Sequence, residues 1–500
     1  MTPASLLIES GPGTGKTTTV AWLTSYIRAT NKDVWFSRHR KITDEQMAIL
    51  DWVDDNILIP YQSSPEFPRV VPTMGGACYN KEAALHLNEM THKSCECRSL
   101  HGWGYKVLMK HCGGSYIPVK DGMIYTIIEK ITGRSLSSLK DKYDWIVAAR
   151  YFEKLKEELL DATVENLMYL SQKYEDLAQY KWNESTCTRI KNILPEAKKP
   201  DKQRGIQWID QVWLPCFIVK DPLVDLLIVD ECQDISASRR CLANKIGKHK
   251  IWIGDTYQAI NAFAGADAKS IDKIRGLVTH TLPLKTSFRN PPAVIKKLNN
   301  LRPLAKLKGL DKPDGEEKRI TLEEYPEYIS QSLSSLTLCR TNAPLIKAAY
   351  ALISADIPCR ILGDRVVDQL ATIVKKQRAS SLAELERNLD RYEKNVTTGL
   401  EEYVAELFKD KINCIRLVIP HASSPEDVVT QLRRLFKPAG NDHATLCTIH
   451  KGKGLESPNV FILFPPIASP LAKTQEQKEQ ELNLQYVAES RTSRNTYWVV

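Results

Sequence analysis

The sequence lacks long apolar runs. Its longest apolar stretches, such as residues 226–229 and 460–464, have the length of single strands, whereas a membrane-spanning helix needs about 20 apolar residues. The N-terminus also lacks the basic segment followed by an apolar run that marks an export signal. We therefore expect a cytoplasmic protein with no membrane partner.

Disulfide-like cysteine spacing is also missing. The twelve cysteines are scattered, and no Cys-x-x-Cys pair occurs among them. His92, Cys95, Cys97 and His101 lie close enough in the chain to suggest a metal site, but their spacing is not that of a common zinc motif. We expect reduced thiols and no metal site in this segment.

Strong charge of either sign is absent. The formal net charge is +9 for 500 residues, and no dense basic tail occurs. This mild excess favours polyanionic partners only weakly. The composition is that of an ordinary globular protein without repeats, and a chain of this length needs more than one hydrophobic core.

A glycine-rich loop follows an apolar segment near the start of the chain. Residues 6–8 predict a buried parallel strand, and residues 17–26 predict a helix. Such a loop binds polyphosphate through backbone N–H groups, with Lys16 at the β- and γ-phosphates and Thr17 on Mg²⁺. The loop consists of Ser10, Gly11, Pro12, Gly13, Thr14, Gly15, Lys16, Thr17 and Thr18. Ser10 departs from the strict pattern, which has glycine there, and a turn without a ligand is the alternative interpretation.

Two further apolar segments end in polar clusters. Asp230 and Glu231 follow residues 226–229, and Gln258 follows residues 251–253. The carboxyl ends of parallel strands meet at one edge of a sheet, where ligands bind. There Asp230 would hold Mg²⁺, Glu231 would polarise the attacking water, and Gln258 would sense the γ-phosphate. A charged helix cap is the alternative for Asp230 and Glu231.

The order of apolar and amphipathic segments predicts an α/β protein with two parallel-sheet cores, each carrying a mostly helical insert. The first core is assigned residues 1–104 and 222–280, its insert 105–221, the second core 281–365 and 441–500, and its short insert 366–440. Local expectations include a strand at 33–36, a helix at 43–52, a glycine-rich turn at 76–80 and a capping box between Ser381 and Glu384.

In this order the motifs resemble those of superfamily 1 DNA helicases of the UvrD/Rep/PcrA type, from Ser10 to Tyr497. Further motifs that carry the resemblance are Tyr79-Asn80-Lys81, Ser99-Leu100-His101, residues 230–234 and 254–260, Ser287-Phe288-Arg289, and residues 448–456 and 486–492. The resemblance implies two RecA-like cores that hold ATP and Mg²⁺ between them and move on DNA.

The resemblance also implies roles for residues later in the chain. Arg289 and Arg491 would be arginine fingers that stabilise charge on the transferring phosphate. Phe288 would stack on adenine, and Glu456, after the turn at Gly454, would hold the ribose.

A DNA site is implied in the same way. The implied contacts are Tyr79, Asn80, His101, Phe263, Thr448 and His450. Aromatic platforms hold bases without reading sequence, and polar groups follow the backbone, so the mixture suits single-stranded DNA. Core packing remains the alternative for Tyr79 and Phe263.

Some positions depart from the family pattern. Only nine residues precede Ser10, and none is the glutamine with which the family reads adenine. Gln46 lies downstream in a similar context, and whether it takes that role is open, as is selectivity for ATP over other nucleoside triphosphates. Asn261 and Ala264 stand where relatives often have tyrosine and arginine.

The combined expectation is an ATP-dependent helicase that moves on single-stranded DNA, 3′ to 5′ by resemblance. We expect a monomer that acts on single-stranded and tailed duplex DNA, with a replication or repair protein as a further partner. The alternatives are a DNA- or RNA-stimulated ATPase that strips bound proteins, a binding module switched by ATP without turnover, and a small-molecule kinase.

Overall fold

The computed structural model describes residues 3–29, 31–39, 41–59, 71–177, 180–260, 269–437, 443–464 and 469–500. The chain forms two compact units. The first comprises Met1–Gly11 and Gly15–Lys285, and the second comprises Pro12–Thr14 and Thr286–Val500. Within the described ranges, no helix is both long and apolar enough to cross a membrane.

The first unit contains a six-stranded sheet. Its strands are β1 (Ser5–Ser10), β2 (Met74–Cys78), β3 (Cys95–Ser99), β4 (Val224–Val229), β5 (Gly247–Gly254) and β6 (His280–Leu284). The order is β3-β2-β4-β5-β1-β6, and all neighbours are parallel. Helices cover both faces of such a sheet, which is why its central strands are continuous apolar runs. The strands predicted at 6–8, 226–229 and 251–253 are confirmed.

The helices of the first unit are α1 (Lys16–Arg28), α2 (Lys32–Arg38), α3 (Asp44–Val53), α4 (Lys81–Met90), α5 (Leu100–His111), α6 (Met123–Thr132), α7 (Lys142–Glu158), α8 (Val164–Lys173), α9 (Glu184–Ala197), α10 (Asp210–Trp213), α11 (Pro215–Ile218), α12 (Ala237–Ile246) and α13 (Ser270–Arg275). A π-helical turn, Asp54–Leu58, extends α3. The described part of 105–221 is mainly helical, as predicted, and Phe152 and Leu155 lie in its own hydrophobic core.

The strand predicted at 33–36 is wrong. These residues belong to α2, because the Asn31 side chain accepts a hydrogen bond from the Val34 N–H at 3.0 Å and caps the helix. Trp35 is buried while Val34 is exposed. A short aromatic run cannot be assigned to a helix or a strand from its apolar pattern alone.

The glycine-rich turn predicted at 76–80 is also wrong in its first half, because β2 runs through it. Gly75 and Gly76 lie within this buried strand, and packing requires both. A Cβ atom on Gly75 would lie 2.8 Å from the Trp103 ring, and one on Gly76 would lie 2.5 Å from the Cys97 sulfur. Glycine here marks close packing rather than a turn. The helix that follows is confirmed as α4.

The second unit contains another six-stranded parallel sheet. Its strands are β9 (Glu317–Ile320), β10 (Ser335–Cys339), β11 (Cys359–Ile361), β12 (Ala444–Thr448), β13 (Ser457–Leu463) and β14 (Thr492–Val499), which follow a two-stranded pair of β7 (Thr286–Ser287) and β8 (Lys308–Gly309). The order is β11-β12-β10-β13-β14-β9. The protein is therefore α/β with two parallel sheets, as predicted at that level.

The helices of the second unit are α14 (Pro292–Leu301), α15 (Tyr325–Ser330), α16 (Ala343–Ser354), α17 (Asp364–Lys376), α18 (Leu382–Thr397), α19 (Glu402–Val418), α20 (Pro425–Phe436), α21 (Ile449–Gly452) and α22 (Gln475–Glu489). The predicted capping box of α18 is half correct. Ser381 accepts from the Glu384 N–H at 3.3 Å, but the Glu384 carboxylate accepts from the N–H of Ser380, at 2.8 Å, instead.

The packing of α5 against the segment around Gln211 can be tested by a substitution at Gly104. A Cβ atom on this residue would lie 1.7 Å from the carbonyl oxygen of Gln211, so the helix and that segment touch backbone to backbone. We expect Gly104→Ala to lower the free energy of unfolding by about 3 kcal/mol or more in urea titrations. Gly122→Ala is the control, because its Cβ would meet only Tyr125, at 3.9 Å. Equal stability of the two variants would contradict this packing.

Candidate functional site

The loop after β1 has the backbone of an anion-binding turn. Gly13 and Gly15 have φ values of 66° and 76°, in the left-handed region that favours glycine. Helix α1 begins at Lys16, with no side-chain cap and no acidic residue in its first turn. The first N–H groups of α1 and the positive end of its dipole therefore face the loop, an arrangement that favours an anion.

Ser10 joins two strand ends. Its hydroxyl is buried and donates to the carbonyl oxygen of Gly254, the last residue of β5, at 2.8 Å. Glycine at position 10 would lose this bond. The departure from the strict loop pattern thus has a structural role in holding the ends of β1 and β5 together.

Lys16 and Glu231 meet at the same edge of the sheet. The lysine nitrogen lies 3.5 Å from a carboxylate oxygen of Glu231, and both side chains are partly exposed. Glu231 has a φ of 52°, which is unusual for a residue other than glycine, asparagine or aspartate. The adjacent Asp230 carboxylate accepts from the Glu231 N–H at 2.9 Å. Such backbone strain often marks a functional position.

Gln233 is a site residue to which the sequence assigned no role. Its amide nitrogen donates to Glu231, and its amide oxygen accepts from the Asp255 N–H at 3.1 Å. The Asp255 carboxylate in turn accepts from the Gln258 amide at 2.8 Å, and burial raises the pKa of Asp255. A chain of hydrogen bonds therefore connects Glu231 to Gln258. Gly254 makes room for it, since a Cβ there would lie 2.6 Å from Gln233.

Thr17 and Asp230 are a suitable donor set for Mg²⁺. Thr17 lies in the first turn of α1, and Asp230 directly follows β4. Mg²⁺ keeps several waters and takes phosphate oxygens beside one or two protein oxygens, so a hydroxyl and a carboxylate suffice. Across the described ranges, no group of three or more His, Cys, Asp or Glu residues could hold a metal ion. All twelve cysteines are free thiols.

In the second unit, Arg289 and Glu456 form an ion pair. Glu456 is 58% exposed in this pair and Arg289 is 19% exposed. Phe288 is also exposed, and Gly454 has the left-handed φ of 88° that its turn requires. Two residues with implied nucleotide contacts are thus brought together, and they neutralise each other.

Arg491 is almost fully buried in the second unit. Its guanidinium donates to the carbonyl oxygen of Val487 at 3.0 Å and to the Ser490 hydroxyl at 2.8 Å. Asn290, which the sequence did not single out, donates to the carbonyl oxygens of Ser490 and Thr492 at 3.0 and 2.8 Å. The loop that carries Arg289 and the turn that carries Arg491 are therefore joined. The finger assignments stay predictions.

An aromatic face lies elsewhere on the first unit. His101, near the start of α5, is buried and stacks on Trp208, with ring centroids 4.7 Å apart and planes 24° apart. Trp208 itself is 59% exposed. The Arg239 guanidinium lies 5.6 Å from the centre of the half-buried Tyr79 ring. Only the exposure seen in the fold distinguishes Trp208 from the core tryptophans.

The remaining implied DNA contacts are more dispersed. Asn80 is exposed, and its side-chain oxygen caps α4 by accepting from the Ala83 N–H at 2.7 Å. Thr448 ends β12 and His450 lies in α21. Burial and the charge of Arg340 lower the pKa of His450 to about 4. Phe263, like Asn261 and Ala264, lies outside the described residues.

Gln46 has a local structural role. It is buried, its amide oxygen accepts from the Thr43 N–H at 3.1 Å, and its amide nitrogen donates to the Thr19 hydroxyl at 3.0 Å. The first of these bonds closes the capping box of α3. Gln46 therefore fastens α3 to α1 whether or not it also contacts a base.

Neither of two comparisons with known proteins gave a match. No family model matches the chain, and no curated protein matches it.

Buried histidine makes stability depend on pH. Burial, together with the Arg239 charge, lowers the pKa of His101 from 6.5 to about 3. Within the described residues its Nε2 atom has no hydrogen-bond partner. Between pH 6.5 and about pH 3, His101 therefore binds a proton in the unfolded chain but not in the folded protein. The free energy of unfolding falls as the pH drops through this range. We expect His101 alone to reduce the free energy of unfolding by about 2 kcal/mol between pH 6.5 and pH 5.

Urea titrations at both pH values measure this difference. His101→Gln should decrease it, whereas His111→Gln, an exposed position on the same helix, should leave it unchanged. The same pH dependence in both variants would rule out a neutral buried His101.

Proposed function

We propose that this protein is an ATP-dependent motor on single-stranded DNA, a helicase or translocase built on two RecA-like cores. The observation that carries the proposal is the edge of the first sheet, where a phosphate-type loop and the Lys16–Glu231 pair meet. The Gln233 chain leads from that pair to Gln258. The order of motifs along the chain supports the same function.

In this mechanism Lys16 leaves Glu231 for the β- and γ-phosphates of ATP. Mg²⁺ held by Thr17 and Asp230 would neutralise charge on the phosphate oxygens. Glu231 is then able to orient the attacking water and to accept a proton from it. The left-handed backbone of Glu231 and its bond from Gln233 hold the carboxylate in place before ATP arrives.

Within the second unit, Arg289 and Arg491 are the proposed phosphate contacts and Glu456 is the proposed ribose contact. Arg289 is paired with Glu456, so a ribose hydroxyl that takes over Glu456 would release Arg289 toward phosphate. Arg491 would have to leave the Val487 carbonyl oxygen, which needs a change in its turn. Binding of ATP thereby becomes coupled to a conformational change, as a motor requires.

The aromatic face of the first unit is the proposed DNA contact. Trp208 offers an exposed ring supported from below by His101, and Tyr79 lies beside the Arg239 charge. Base stacking on such rings tolerates any sequence, which a motor that steps along DNA needs.

The nucleotide site is tested by Lys16→Ala and Glu231→Gln. Each should reduce DNA-stimulated phosphate release by about 100-fold or more, because one removes phosphate charge stabilisation and the other removes the base. Lys93→Ala and Glu89→Gln, exposed positions in the same unit, are matched controls. Near-normal turnover in both site variants would refute the assignment.

Strand separation is tested separately with tailed duplexes. We expect ATP-dependent displacement of a strand from duplexes with a 3′ single-stranded tail and little from duplexes with a 5′ tail. DNA-stimulated ATP hydrolysis without displacement from either substrate would instead favour a translocase that strips bound proteins.

A further inference from the structure

A fully buried ion pair lies inside the insert of the first unit. The Lys156 nitrogen is 2.6 Å from a carboxylate oxygen of Asp210, and neither side chain is exposed. The lysine also lies over the rings of Phe152 and Trp213, 4.6 and 5.1 Å from their centres. Burying two charges is costly, and apolar residues of similar volume often give equal or higher stability. A contribution to stability is therefore not a sufficient reason for this ion pair.

The pair fixes the turn that carries Trp208. The second carboxylate oxygen of Asp210 accepts from the Gln207 N–H at 2.9 Å. The Lys156 nitrogen also donates to the Gln207 side-chain oxygen at 2.8 Å. Both ends of the segment from Gln207 to Asp210 are thus held by one buried ammonium group, and Trp208 lies between them.

The surrounding contacts fix the orientation of the exposed ring. His101 stacks under Trp208, and α5 can approach this segment because Gly104 has no side chain next to Gln211. The lysine is itself fixed, since the Ser238 hydroxyl donates to the carbonyl oxygen of Lys156. The Trp208 turn is therefore tied to α5 through His101 and to α7 through Lys156.

The next residue of α7 orients the other aromatic residue of this face. Glu157 lies 2.8 Å from the Arg239 guanidinium, which lies over the Tyr79 ring. One turn of this insert helix thus contacts both the segment that carries Trp208 and the arginine that lies over Tyr79.

We propose that Lys156, acting through Asp210, is a positioning residue that holds Trp208 ready to stack on a nucleic-acid base. The inference rests on the proposed function, because it assumes that single-stranded DNA binds this face. Lys156 does not touch DNA in this account. Its role is to restrict the conformations of the Trp208 turn before binding, so that less conformational entropy is lost when the base stacks.

The test is a double-mutant cycle between the ion pair and the ring. Lys156→Met combined with Asp210→Leu removes both charges while keeping the core apolar. We expect the concentration of unstructured oligonucleotide at half-maximal ATP hydrolysis to rise about 5- to 100-fold, as for Trp208→Ala, with the maximal rate at saturating DNA retained. In the Trp208→Ala background, the same ion-pair substitutions should raise this half-maximal concentration by less than about twofold further.

Two controls separate positioning from folding. Tyr116→Ala removes another exposed aromatic residue of the same insert and should leave the half-maximal concentration unchanged. Gln207→Ala removes one acceptor of Lys156 without exposing a charge. It should give a rise of about twofold or more even if the ion-pair variant does not fold.

The outcomes are distinguishable. An unchanged half-maximal concentration in the ion-pair variant or, if that variant does not fold, in Gln207→Ala would overturn the inference. Additive effects of the ion-pair and Trp208 changes would do the same, because they would mean that Lys156 acts elsewhere. If DNA does not stimulate ATP hydrolysis by the wild-type protein, the proposed function and the inference are both overturned. If DNA stimulates hydrolysis but Trp208→Ala leaves the half-maximal DNA concentration unchanged, only the inference is overturned.

Discussion

Parallel pairing of β4, β5 and β1 in the middle of the first sheet is the constraint on which the site depends. Because these strands are neighbours and point the same way, the residues that follow them meet at one edge. The Ser10–Gly254 hydrogen bond ties two of the strand ends together. This pairing brings Lys16 and Glu231 to the same edge of the sheet. The Gln233 chain depends on the same edge.

The cationic side chains of the candidate site residues are bound by groups of the protein itself. Lys16 pairs with Glu231, Arg289 pairs with Glu456, and the Arg491 guanidinium is held by a carbonyl oxygen. An unpaired buried charge is costly, so each of these cations has an internal partner. Under the proposed function, a polyanion that binds either unit would compete for these cations and change what the protein's own carboxylates and carbonyl groups contact. Binding energy can be converted into motion in this way.

Much of the fold could be read from the sequence, because buried parallel strands are apolar runs that end in polar residues. The errors occurred where a local helix cap or close packing decides. Residues 33–36 form a helix with a local Asn31 cap that the aromatic run obscured. Gly75 and Gly76 lie in a strand, where Trp103 and Cys97 leave no room for a Cβ atom. The loop and the acidic strand ends were visible from spacing. Trp208, Gln233 and Asn290 were not, because exposure and hydrogen bonds between distant segments leave no local pattern.

The proposed function is most directly tested by titrating the wild-type protein with unstructured single-stranded DNA at saturating ATP and Mg²⁺. Phosphate release should rise about tenfold or more and saturate, which corresponds to a barrier lowered by about 1.4 kcal/mol. A rate of hydrolysis that stays the same at every DNA concentration would contradict a DNA-driven motor.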